Sequence, residues 1–166
     1  MNLLSVAVLG YVTLERLAEL VFADRNTKRL KARGAAEHGA SHYPLIVAVH
    51  AAWLVTLWFL ARERAPDPFW LAFYVLLQAA RLWVLATLGP RWTTRIIVLP
   101  DEPLVREGPY RIVNHPNYWV VIGEIAVLPL VFGLPWVALV FSLLNAAVLF
   151  IRIREENRAL RTLRRG

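Results

Sequence analysis

Long apolar runs, cut at intervals by very unequal amounts of positive charge, constrain this chain more than any other feature. Residues 43–61 contain no Asp, Glu, Lys or Arg, and residues 69–88 contain Arg81 alone. A bilayer core about 30 Å thick is crossed by about 20 residues of helix, so both runs can span. Residues 3–22 form a third run, interrupted by Glu15, Arg16 and Glu19, of which Glu15 and Glu19 share a helix face. Residues 118–132 and 136–151 form two more runs, separated by Gly133-Leu134-Pro135, which reads as a tight turn. Each of the last two is short for a full span, which predicts tilting, a thin place in the bilayer, or a hairpin that dips through it. The sequence therefore predicts an all-α integral membrane protein of about five transmembrane helices, ending in a helical hairpin. One membrane domain, 1–166, is the natural unit at this length.

Composition separates this class from its main rival. The chain carries a net charge of +7, as a nucleic-acid binder does, but 58% of its residues are hydrophobic, against about 45–50% in soluble proteins. Basic charge together with apolar spans is the signature of a membrane protein with cationic cytoplasmic loops; no nucleic-acid partner is expected. With alternating sides, the loop after the first run, the loop after the third and the C-terminal tail collect fifteen Lys and Arg, and the opposite face collects Arg62 and Arg64. The positive-inside rule then places the N-terminus outside and the tail in the cytoplasm, with a bacterial inner membrane as the expected location. The N-terminus lacks the basic opening and small-residue cleavage site of a signal peptide and reads as a retained helix. Tyr43, Trp70, Trp92, Tyr118 and Trp136 sit near span ends as interfacial anchors. Without cysteine there is no disulfide, thiolate metal site or cysteine nucleophile, and no metal site is expected.

The chemistry gathers in two polar stretches. One runs from Gly108 through Tyr110, Arg111, Asn114, His115, Pro116 and Asn117 to Tyr118, ahead of a run that contains Glu124. The other follows the last run: Arg152, Arg154, Glu155 and Glu156. These stretches bracket the hairpin, and a hairpin brings its two ends to one side, so they should meet at the cytoplasmic interface. Together they offer an imidazole, phenols, guanidinium groups and carboxylates, enough to hold a polar ligand beside lipid.

The pattern Gly108-Pro109-Tyr110, three residues, Asn114-His115-Pro116, one residue, Tyr118 resembles the signature of the isoprenylcysteine carboxyl methyltransferase family and of related phospholipid methyltransferases. Arg152, Glu155, Glu156 and Leu160 match that family's Arg, Glu pair and Leu at the end of the last helix. Leu88-Gly89, Trp92 and Leu104-Val105 also fit. The resemblance is strong over 88–160, which marks a methyltransferase core at 88–166, and weaker over helices within 1–87. It implies S-adenosylmethionine as cofactor, with Tyr110, His115, Pro116, Tyr118, Glu155 and Glu156 at the cofactor pocket. Arg152 would stand near the acceptor or the cofactor carboxylate. The family usually has Arg where this chain has Asn114, and an Asn cannot make the bidentate ion pair; Arg111 or Arg154 could replace it.

The acceptor implied is lipophilic, reached from the bilayer among membrane lipids: an alkylpyrone or phenolic lipid, or a prenylcysteine carboxylate. The chain is most similar to compact bacterial members that work with type III polyketide synthases, sharing His42-Tyr43-Pro44, residues 94–100 and residues 144–149. Glu124 could orient or deprotonate an acceptor hydroxyl, or pair with Arg81; an acid inside a span is costly and needs one role or the other. Other readings are plainer. His115 before Pro116 could cap a helix. Glu15, Arg16 and Glu19 read as a structural polar network, His38 and His42 as surface or interfacial, and His50 as a core histidine. A small transporter would want such midplane polar residues, and a scaffold subunit would need no chemistry at all.

Overall fold

The computed structural model describes residues 1–100 and 102–161; Arg164 and Arg165 of the basic tail lie outside them. Five long helices carry the fold: α1 (Leu3–Ala32), α2 (Tyr43–Ala61), α3 (Pro68–Leu88), α4 (Pro116–Val131) and α5 (Pro135–Arg161). Three helical stretches are long and apolar enough to cross a membrane: Ala40–Ala61, Pro68–Arg91 and Pro135–Arg161. α4 has 16 residues, about 24 Å at 1.5 Å per residue, short of a bilayer core. α1 is long enough but carries Glu15, Arg16 and Glu19 within its apolar part.

Helix ends follow local chemistry. The Asn2 side chain accepts from the amides of Leu4 and Ser5 at 3.1 and 3.2 Å, and Asp67 accepts from Phe69 and Trp70 at 2.8 and 3.2 Å; both are N-caps that satisfy orphan donors. Pro68, Pro116 and Pro135 occupy first helical positions, where a missing N–H costs nothing. The α4–α5 turn closes at Gly133, φ +64°, a conformation that glycine adopts without strain. The amides of Gly133 and Leu134 return to the carbonyls of Leu130 and Pro129, both at 3.0 Å, the pattern of a helix C-terminal motif.

Two of the expected boundaries move. α1 continues ten residues past Phe22 and α5 ten past Ile151, so residues 25–32 and 152–161 of the two basic segments are helical extensions rather than loop and tail. The last helix is therefore not short. The physical reason is legible along α1: Ala23, Asn26, Thr27 and Leu30 are buried at helical spacing beneath the exposed basic residues. The loops between spans are also more ordered than an all-α reading implies. β1 (Ala36–His38) pairs antiparallel with β2 (Ile96–Val98), Glu37 opposite Ile97, and joins the chain after α1 to the chain after α3.

The two ends of the bundle are built differently. At the poorly charged end the backbones interlock: Asn2 N donates to Arg62 O at 3.0 Å, Asp67 N to Val131 O at 2.7 Å, and Ser5 Oγ to Arg64 O. The Arg64 side chain reaches the carbonyl of Gly133 at 3.3 Å. At the basic end the connections spread into the small sheet and short 3-10 turns. α3 and α4 pack tightly side by side; a side chain at Gly123 would meet Leu77 at 2.7 Å. Large apolar side chains face outward all around the bundle, among them Phe59 and Phe69, as they do when the solvent is lipid.

Charge is nevertheless buried at the centre. Arg81 of α3 forks onto Glu19 of α1 and reaches Glu124 of α4 at 2.9 Å. Arg16 joins Glu124 at 2.7 Å, and Gln78 donates to its other oxygen at 2.8 Å. Glu124 is 1% exposed and Arg81 4%. Removing one partner from a buried ion set strands the others, at a cost of about 3–5 kcal/mol. Arg81→Met is expected to lose about that much stability, read as a lowered unfolding midpoint in detergent, while the exposed Arg62→Met is neutral.

Candidate functional site

At the basic end, the hairpin sets the first turn of α4 against the far third of α5. Arg152 Nε donates to the Tyr118 hydroxyl at 2.8 Å, and that hydroxyl donates to Glu156. His115 stacks on Tyr118, ring centroids 5.3 Å apart, with Nδ1 3.7 Å from Glu156. The Arg152 guanidinium lies over the Tyr118 ring at 5.7 Å. His115 stands at the N-cap position of α4, yet its side chain makes no capping hydrogen bond; the ring is turned to Tyr118 and Glu156 instead. Pro116, buried in the first helical turn, fixes the approach of this segment.

These four side chains line one wall of a cavity of about 1180 Å³. Tyr110 lines it too. Burial, and secondly the Glu156 charge, push the Tyr110 phenol above its usual range, so it stays protonated. Tyr110 is set by the short helix Gly108–Arg111, which opens on Gly108 at φ +52°. A side chain there would meet Thr87 Oγ1 at 2.5 Å, so this turn needs glycine in both conformation and space. The end of α1 and β2 line the cavity too, through Leu30 and Ile96 to Val98. Ile96 to Val98 fall within the stretch 94–100 that the family resemblance marked, whereas Leu30 was not singled out in the sequence, although it closes the buried stripe of α1.

The remaining expected residues lie elsewhere. Glu155 pairs with Arg158 at 2.8 Å, and Glu124 belongs to the central ion network; neither lines the cavity. Of the two candidates to replace an arginine at Asn114, Arg111 lines the cavity, whereas Arg154 lies over the Phe150 ring. Among the described residues no group of His, Asp and Glu is placed to hold a metal.

A two-stranded strap closes the side of the site. Glu37 takes Lys31 Nζ at 2.5 Å and Arg95 Nη1 at 2.6 Å, and Arg95 lies 4.4 Å over the Tyr43 ring. Those hydrogen bonds hold the Glu37 carboxyl below its usual range. A carboxyl lowered in the folded state stabilises above its unfolded pKa and loses that contribution as the pH falls through the folded one. Hydrogen exchange at the amides of Ile96–Val98 is expected to quicken as the pH drops below about 4, after correction for intrinsic rates, and to lose this dependence in Glu37→Gln.

The profile of the isoprenylcysteine carboxyl methyltransferase (ICMT) family matches residues 70–162, which include every side chain of the Tyr118 cluster. The chain belongs to this family. It is similar over 158 residues, at 38% identity, to the uncharacterized protein YpbQ of Bacillus subtilis (strain 168), covering 92% of this chain and 94% of that one. It is 27% identical over 151 residues to an uncharacterized protein of Haemophilus influenzae (strain ATCC 51907 / DSM 11121 / KW20 / Rd), covering 87% and 88%. No solved structure matches. ICMT membership implies a membrane methyltransferase, and the three long apolar helices fit an integral membrane protein.

Within the ICMT cluster the Tyr118 hydroxyl is the shared atom, accepting from Arg152 and donating to Glu156. Tyr118→Phe removes both bonds and keeps the ring. The expected result is a freed Glu156 and a helix α5 end less protected from exchange by more than tenfold, with the packing of the central bundle unchanged.

Proposed function

We propose that the chain is an S-adenosylmethionine-dependent methyltransferase that acts on a lipophilic acceptor at the cytoplasmic face of the membrane. The observation that carries this reading is the Arg152–Tyr118–Glu156–His115 cluster on the wall of a cavity of about 1180 Å³, which accommodates a ligand of nucleoside size. The residues fit the cofactor by charge. Arg152 uses only Nε toward Tyr118, and its two terminal nitrogens have no partner among the described residues; they suit a carboxylate. Glu156 and the faces of Tyr118 and His115 suit an ammonium or sulfonium. When bound, S-adenosylmethionine supplies an electrophilic methyl group on a good leaving group, so no metal is called for.

The chain's part is then to hold and align. Tyr118 fixes Glu156 and Arg152 in one rigid unit, and Pro116 fixes His115 beside them. Positioning of this kind, with preset charges in a site shielded from water, supplies most of the rate in a displacement. Glu124 sits about 9 Å further along α4 than Tyr118 by helical rise, and its carboxylate is committed to Arg16, Arg81 and Gln78. We read it as a positioning residue for the bundle rather than as a base. The acceptor is an alkylpyrone, a phenolic lipid or a prenylcysteine carboxylate, with a type III polyketide synthase as a source of the first two.

In this reading all five helices cross the bilayer. α1 is carried by its paired charges and α4 by packing against α3 and α5, and the basic end faces the cytoplasm. The absence of native cysteine makes orientation directly measurable. A cysteine at Glu63 should be labelled from outside intact cells and one at Arg111 only after permeabilisation.

The site is tested by calorimetric titration of the detergent-purified protein with S-adenosylhomocysteine. Micromolar binding is expected, lost in His115→Ala and Glu156→Ala with the fold intact. Absence of binding by the unaltered protein in both detergent and nanodiscs would remove the methyltransferase reading.

A further inference from the structure

The charged set at the centre of the bundle does not balance. Three carboxyl groups, Glu15, Glu19 and Glu124, face two guanidiniums, Arg16 and Arg81. Four of these five groups pair off. Arg81 forks onto Glu19 and reaches Glu124 at 2.9 Å, and Arg16 reaches Glu124 at 2.7 Å and Glu19 at 3.4 Å. Glu15 is left over. Its Oε1 lies 3.9 Å from Arg81 Nε, and that nitrogen already donates to Glu19. Its Oε2 is buried and has no hydrogen-bond partner.

α3 turns further unpartnered oxygens toward the set. Tyr74, Gln78 and Arg81 are four and three residues apart and so share one stripe of that helix. The Gln78 amide nitrogen donates to Glu124 at 2.8 Å, whereas its Oε1 has no partner, and neither has the Tyr74 hydroxyl. Tyr74 is 2% exposed and Gln78 7%. These oxygens and Glu15 Oε2 offer almost no surface that a water molecule could touch. A hydrated cation therefore has no room beside them, and among the described residues no group of His, Asp and Glu is placed to hold a bare metal ion.

We propose that the set binds one proton and that Glu15 carries it as a neutral acid. A surplus negative charge inside a membrane-spanning bundle is costly, and a proton removes it without needing space. The remaining groups then match two to two. A proton on Glu19 or Glu124 would instead break a pair with arginine. It also makes Glu15 a donor in a set whose unpartnered oxygens, on Gln78 and Tyr74, can accept. The other titratable neighbours do not supply the missing positive charge. Tyr11 on α1 and Tyr74 on α3 are phenols. His50 on α2 donates from Nδ1 to the Ile46 carbonyl at 2.9 Å and makes no ion pair with a carboxylate among the described residues. The proton has a consequence beyond the set. Arg81 lies 6.0 Å over the Trp92 ring, and Trp92 lines the larger cavity. An ionised Glu15 would compete with Glu19 for Arg81, so the proton keeps Arg81 in place behind that part of the cavity wall.

The test is infrared spectroscopy of the full chain in a maltoside detergent, which has no carbonyl group, at a pH of about 8, where ordinary carboxyls are ionised. The parent protein should show the carbonyl stretch of one neutral carboxylic acid. Glu15→Gln should abolish that band, and His50→Gln and the exposed Glu63→Gln should keep it. Gln has the shape of a neutral Glu, so Glu15→Gln should unfold no more readily than the parent. Glu124→Gln, which takes a carboxylate from two arginines, should raise the unfolding constant at least tenfold. No acid band in the parent, a band that survives Glu15→Gln, or a Glu15→Gln chain that no longer folds would overturn the proposal.

Discussion

The bundle depends on keeping ionised groups together where no water can solvate them. Arg16 and Arg81 face Glu19 and Glu124 across three helices, and each of these groups would be prohibitively costly in hydrocarbon without the others. Lipid gives apolar surfaces little reason to prefer one another over acyl chains. Charge pairing can therefore do in this chain what a hydrophobic core does in water: it specifies which face of α1 meets α3 and α4. The helical apolar surface is interchangeable in kind, but the position of Glu124 along α4 is not. The register so fixed also fixes the height of Tyr118 on the same helix, and of His115 at its N-cap.

From that register the site follows by geometry. The hairpin turn at Gly133 folds α5 back along α4, and the depth of the α4 helix sets which part of α5 lies beside its first turn. Arg152 and Glu156 are four apart and so share a face, and that face meets Tyr118. The resulting unit joins an imidazole, a phenol, a carboxylate and a guanidinium without flexible connections. Arg152 and Glu156 lie within α5 and Tyr118 in the first turn of α4, and His115 is held at the N-cap position next to the buried Pro116.

Much of this was legible in the residues. The apolar run at 43–61 marks α2 to the residue, because nothing at its ends is ambiguous: Pro44 opens it and Arg62 closes it. The meeting of the two polar stretches could be read from the turn alone. Two things could not. The charged ends of α1 and α5 look like loop and tail, because charge ends an apolar run without ending the helix, whose outer face simply becomes polar. The pairing of β1 with β2 joins residues about 60 apart in sequence, and three-residue strands have no periodicity to betray them. Glu155 and Glu156 show the limit of motif reading. As neighbours on a helix they point about 100° apart, so only Glu156 can face Tyr118 while Glu155 turns to Arg158.

The interlocked end of the bundle has a mechanical consequence. Main-chain hydrogen bonds from Asn2 and Asp67, with the Ser5 hydroxyl on the Arg64 carbonyl, clamp the N-terminus, the α2–α3 connection and the end of α4 to one another. At the opposite end the helices are joined through side chains and a three-residue strap. The clamped end, about 45 Å from the cavity end along the 30-residue α1, therefore keeps its geometry largely through main-chain bonds, which a side-chain substitution at the cavity end leaves intact.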